Sequence, residues 1–128
     1  MCDMDFGLKS ETELYTLIKD TFDEDLTPTE DHFAIFDFES PKTLVELKTR
    51  KCASTTYPDT MIGLNKIEYA NKNNDKTIIF CFSFTDGLYY FKHQEEYNYN
   101  VRYGGRFDRG RKEVKKYCYI KRENLIKV

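Results

Sequence analysis

Apolar positions along the chain fall into blocks with different spacing. Leu14, Leu17 and Ile18 recur at helical intervals, and Glu11 and Thr21 share their face. Ser10 and Glu13 have the spacing of a capping box, so a helix is expected to start there. The acidic stretch 23–31 reads as a loop. Residues 32–39 (HFAIFDFE) and 43–50 (TLVELKTR) alternate apolar and polar positions, as strands do. Ser40-Pro41-Lys42-Thr43 joins them as a turn with proline at its second position. Residues 58–72 (PDTMIGLNKIEYANK) predict a second helix with Pro58 in its first turn. TIIFCFSF, an Asp86-Gly87 turn and LYYFKH predict an apolar hairpin. Residues 94–113 contain glycines and no period, and predict an exposed loop. VKKYCYI is a late strand, and RENLIKV a terminal helical turn. The order α-β-β-α-β-β-loop-β predicts an α/β fold, a mixed β-sheet flanked by helices.

Size and composition narrow the classes. A chain of 128 residues is expected to form a single domain, 1–128. With 40% hydrophobic and 33% charged residues it reads as globular rather than disordered. No apolar run has the length of a membrane span, and the acidic start MCDMDFG is not a signal peptide. An intracellular location and no membrane partner are expected. Cys2, Cys52, Cys81 and Cys118 are scattered, which argues against a zinc site and for reduced thiols. With His32 and His93 as the only histidines, and no G-x-S-x-G, a serine triad is disfavoured.

The net charge of −2 conceals a gradient. Residues 1–40 carry twelve acids against Lys9 and Lys19, or −10; residues 41–100 carry +1 and residues 101–128 carry +7. A basic last quarter suits a polyanion approaching one end, or an ordinary solvated face.

The first hairpin holds the candidate chemistry. If Pro41-Lys42 is a two-residue loop, Ser40 faces Thr43 and Asp37 falls opposite Glu46. Alternation then puts Leu44 and Lys48 on the face of Glu46, and Glu39 on that of Asp37. Phe36, Phe38, Val45 and Leu47 point the other way, into a core. Facing carboxylates repel, and a hard divalent cation would remove the repulsion. Pattern alone leaves two readings open: a solvent-facing charged strand, or a metal site with a lysine beside it.

Asp37, followed nine residues later by Glu46-Leu47-Lys48, resembles the signature of the PD-(D/E)xK nuclease superfamily, in which an acid on one strand precedes E-x-K on the next. The flanking helices fit the pattern as well, and the likeness covers roughly residues 10–92. Phe36 stands where that pattern has proline, which leaves Glu39 as the rival acid. The resemblance implies a restriction-endonuclease-like fold in a small phage or viral member. It implies metal-dependent hydrolysis of phosphodiester bonds in nucleic acid, DNA before RNA. Asp37, Glu46 and the Leu47 carbonyl would hold Mg²⁺ or Mn²⁺, with Glu11 on the first helix as a further acid. Lys48 would orient the attacking water and offset charge on the phosphate, and Lys66 on the second helix would point at the site.

Beside such a core, Arg102, Arg106, Arg109 and Arg111, set among glycines, are candidates for phosphate contact. Tyr97, Tyr99 and Tyr103 are candidates for base stacking. A homodimer would suit double-strand cutting. The competing readings are a catalytically inactive nuclease-fold module binding nucleic acid or a partner protein, and an interaction module for acidic proteins.

Overall fold

The computed structural model describes residues 9–30, 35–104 and 115–128. Helix α1 (Glu11–Phe22) starts at the expected capping box. The Ser10 hydroxyl accepts from the Glu13 N–H at 3.2 Å, and the Glu13 carboxylate accepts from the Ser10 N–H at 3.1 Å. Strands β1 (Thr27–Pro28), β2 (Phe38–Glu39), β3 (Thr43–Thr49) and β4 (Asp59–Gly63) precede α2 (Leu64–Lys72). Then come β5 (Thr77–Phe84), β6 (Gly87–Lys92), β7 (Asn100–Gly104), β8 (Lys115–Lys121), a 3-10 turn at Arg122–Asn124 and β9 (Ile126–Lys127).

Among the described residues the strands form a six-stranded sheet, β1-β2-β3-β5-β6-β9, and a three-stranded sheet, β4-β8-β7. Only the β3–β5 pair is parallel. Such a pair needs a long crossover, which β4 and α2 supply. Strand β5 is buried along almost its whole length, because both faces of the large sheet are covered. On one face α1 lays Leu14 and Ile18 against Phe38, Val45, Cys81 and Leu88. On the other, α2 and the small sheet bring Ile67, Ile62, Cys118 and Ile120 onto Phe80 and Phe82. The mixed α/β sheet expected from sequence is therefore present, with more strands than the pattern showed.

Several elements differ from expectation. Strand β1 lies in the stretch read as an acidic loop and pairs with β2, and among the described residues the first hairpin strand is strand only at Phe38–Glu39. Three later segments also change. Residues 59–63 are strand β4, not the start of a helix. Their apolar positions suit both periods, and pairing of Ile62 with Cys118 and Thr60 with Ile120 decides for the strand. The expected exposed loop contains β7, which pairs with β8 from Asn100–Tyr119 to Gly104–Lys115. The terminal residues make one 3-10 turn and then edge strand β9 on β6, where Tyr90 faces Ile126. Among the described residues no helix is long and apolar enough to cross a membrane.

The first hairpin closes as expected, with the Ser40 N–H bonded to the Thr43 carbonyl at 2.8 Å. Asp23, at the end of α1, fastens this turn. Its carboxylate accepts from the Ser40 hydroxyl at 2.6 Å, the Thr43 hydroxyl at 2.9 Å and the Asp25 N–H at 3.0 Å. The Ser40 bond above all, then that from Asp25, holds the carboxyl below its ordinary pKa against the opposing effect of burial. Asp23→Ala is expected to lower the melting temperature at pH 7. A depressed pKa stabilises the fold above 3.8, the ordinary value, and the gain disappears as pH falls through the folded pKa. The gap between parent and variant should close in that window; thermal scans from pH 7 to pH 2.5 would show it.

Candidate active site

Asp37 owes its position to a break in the ladder. Phe38 pairs with Val45 and Glu39 with Leu44, in the expected register. The Asp37 N–H, however, also bonds to the Val45 carbonyl, at 3.0 Å. Two residues of one strand thus stand against one of the other, as in a β-bulge, which turns the chain and re-aims a side chain. Two consequences follow. The Asp37 carboxylate swings along the edge of β3 and accepts the Leu47 N–H at 2.8 Å. Phe36 lands in the core beside Phe80, opposite the core that holds Phe38. This one-residue offset corrects two expectations, that Asp37 stands directly opposite Glu46 and that Phe36 and Phe38 share a face.

Glu46 lies on β3 with its side chain 3% exposed. The solvent-facing reading of this strand therefore fails at Glu46. Burial, then the negative charge of Asp37, raise its pKa from 4.5 to about 7; Lys66 and Lys48 oppose this, and a hydrogen bond with Asp37 adds to it. Lys48 and Lys66 each place Nζ 3.4 Å from Glu46 Oε2. Lys48 remains 40% exposed. Lys66, on α2, also donates to the Ile35 carbonyl and lies over the Phe36 ring, so it grips the segment that leads into Asp37. Asp37, Glu46, Lys48 and Lys66 are brought together as one cluster. Glu39, the rival acid, is exposed on β2, and its charge is not among those acting on Glu46. Glu11 is exposed and reaches a small recess it shares with Asp37, Leu47 and Thr49.

The donor set suits a hard cation. Asp37 and Glu46 supply carboxylate oxygens. The Leu47 N–H points at Asp37, and its carbonyl lies along the same edge of β3, as strand geometry requires. Among the described residues no three His, Cys, Asp or Glu side chains form a metal-ligating group. A Mg²⁺ ion held by two carboxylates, a carbonyl, waters and phosphate oxygens needs no third. A cation between the carboxylates would also replace the proton that burial of Glu46, and then the charge of Asp37, now favour.

Lys48 and Lys66 open into a cleft of about 700 Å³ between α2, β3 and β8. Arg50, Lys115 and Lys116 line it as well, and among the described residues Glu68 is the one acid on its wall. These three cations were not singled out from sequence. For Lys115 and Lys116 the signal was the basic last quarter; for Arg50, its place two residues after Lys48. Arg102 is engaged elsewhere, ion-paired with Asp59 and stacked 3.6 Å above the Tyr119 ring. Arg106, Arg109 and Arg111 lie outside the described residues. Tyr97 and Tyr99 pack edge-on against Phe91 and each other, which occupies their rings. Tyr103 is 70% exposed, with Lys116 above it at 5.5 Å.

No curated protein and no solved structure matches the chain. One family model, described as "Phage putative PDDEXK endonuclease", matches residues 10–127. That span holds both helices and the carboxylate–lysine cluster, and the chain belongs to this phage PDDEXK endonuclease family.

Proposed function

We infer that the protein is a metal-dependent endonuclease that hydrolyses phosphodiester bonds in nucleic acid, with DNA as the expected substrate. The observation carrying this reading is the cluster itself: buried Glu46 lies beside Asp37 and 3.4 Å from both Lys48 and Lys66, and the two lysines line a cationic cleft. In it Asp37, Glu46 and the Leu47 carbonyl would hold Mg²⁺ or Mn²⁺, with Glu11, which lines the same small recess as Asp37, as a further acid. Such an ion lowers the pKa of a bound water and offsets charge on the phosphate. Lys48, the more exposed of the two lysines, orients the attacking water and faces the phosphate. Lys66 acts as a positioning residue, holding Glu46 and the Ile35 carbonyl. Arg50, Lys115 and Lys116 hold the flanking phosphates as point charges and a fork. Arg106, Arg109 and Arg111, outside the described residues, are further proposed phosphate contacts.

The test is a cleavage assay on supercoiled plasmid, branched duplex, single-stranded DNA and RNA, with Mg²⁺, Mn²⁺ or chelator. Cutting of at least one substrate is expected with metal only, and Asp37→Asn should abolish it. A folded protein that cuts none of the four with metal present would overturn the reading. It would leave a nuclease-fold module that binds without cutting.

A further inference from the structure

A second cavity, of about 310 Å³, adjoins the cationic cleft, and Arg50 and Met61 belong to the walls of both. The two differ in character. The cleft presents ammonium groups. The cavity is lined mainly by Cys52, Tyr57, Met61, Phe84, Tyr119 and Leu125. The charged side chains on its wall are turned to protein partners. Arg50 donates to the Met61 carbonyl at 2.9 Å, Arg122 to the Thr55 carbonyl at 2.8 Å, and Asp59 pairs with Arg102. What faces the cavity is therefore apolar and aromatic. Tyr57 stands at its wall with its ring 62% exposed. The volume falls at the lower end of small-molecule sites, roughly 300–1,000 Å³.

A ligand that fills both spaces is anionic at one end and flat and apolar at the other. A nucleotide has that form. We propose that this cavity is a nucleobase pocket, which takes one unstacked base of the strand whose phosphates lie in the adjoining cleft. This deepens the endonuclease reading and rests on it for the phosphate side. It assigns a substrate class: single strands, or duplexes with a bulged, mismatched or branched nucleotide that leaves the stack at little cost. Recognition is by stacking and shape, so all four bases are accepted.

Binding of a short oligothymidylate is to be compared with that of an abasic strand of the same length, in chelator, so that no cleavage occurs. The parent should bind the base-bearing strand about tenfold more tightly, the usual scale of one stacked base. Tyr57 and Leu125 line the cavity and not the cleft, so Tyr57→Ala and Leu125→Ala should each remove most of that preference and leave affinity for the abasic strand unchanged. Tyr57 is exposed and Leu125 is half-buried just after the 3-10 turn, so both variants should keep the parent circular dichroism. Equal affinity for the two strands, no binding of either, or a preference that survives both substitutions would overturn the pocket. The endonuclease reading is judged separately, by cutting with metal present. A protein that cuts yet shows no base preference loses only the pocket.

Discussion

Replacing Lys48 by alanine is expected to slow phosphodiester cleavage by about 10²–10³-fold, the usual cost of one positioned electrostatic group. The fold should be unaffected. The Lys48 side chain is 40% exposed, and its ion pair to Glu46 is duplicated by Lys66 at the same 3.4 Å. Glu46 thus keeps a cation when Lys48 is lost, whereas the water or phosphate at the mouth of the cleft does not. Lys48→Arg should recover only part of the rate, because a planar fork does not place charge where an ammonium does. Single-turnover rates at saturating Mg²⁺, with circular dichroism as the control for folding, would measure this. A folded Lys48→Ala protein cutting at the parent rate would remove Lys48 from the reaction.

The second large effect concerns stability, and its sign is opposite to intuition. Glu46→Gln should make the metal-free protein more stable near neutral pH while abolishing cleavage. Glu46 is buried, and its pKa is raised from 4.5 to about 7 in the fold. In the unfolded chain it ionises near 4.5; in the fold it keeps its proton until about pH 7. Its stabilising contribution is therefore complete below pH 4.5 and is lost as pH rises to about 7. At about 1.4 kcal/mol per pH unit, that span is worth roughly 3 kcal/mol. Glutamine has no charge to bury, so the variant should show little of this slope. Chemical denaturation in chelator at pH 5 and pH 8 gives the comparison. Added Mn²⁺ should then reverse the order, since only the parent gains from binding an ion in the folded state. A difference between parent and variant that is the same at both pH values would refute the account of Glu46.

Parts of this arrangement were legible in the chain. The Ser40–Thr43 turn fixed the register of the hairpin, and period-two alternation put Lys48 on the face of Glu46. Both depend on neighbours in sequence. The bulge at Asp37 was not legible, because it rests on one hydrogen bond to Val45 across the ladder. Nor could alternation show that the face of Glu46 is buried; α2 and the small sheet cover it from elsewhere in the chain. The segment Thr60-Met61-Ile62 satisfies helical and strand spacing alike, and its partner in β8 lies more than fifty residues away. The same distance hid the convergence of Lys48 and Arg50 with Lys115 and Lys116. Lys66 entered through resemblance to a family pattern; its grip on the Ile35 carbonyl is a property of the folded chain alone.

The knot of hydrogen bonds at Asp23 lies at the closed end of the hairpin, and the two acids lie further along its arms. The hairpin therefore behaves as a pair of tongs riveted at the turn. Glu46 sits on the fixed arm, because β3 is locked to β5 along its length. Asp37 sits on the other arm, joined to β3 by a short ladder, to Thr29 beside β1, and to α1 through the rivet and the packing of Phe38 on Leu14 and Tyr15. Changes at Asp23, Ser40 or Thr43 should alter the opening of the jaws without touching either tip. If the proposed site holds a metal ion, its affinity would thus be adjustable from residues that never meet the ion.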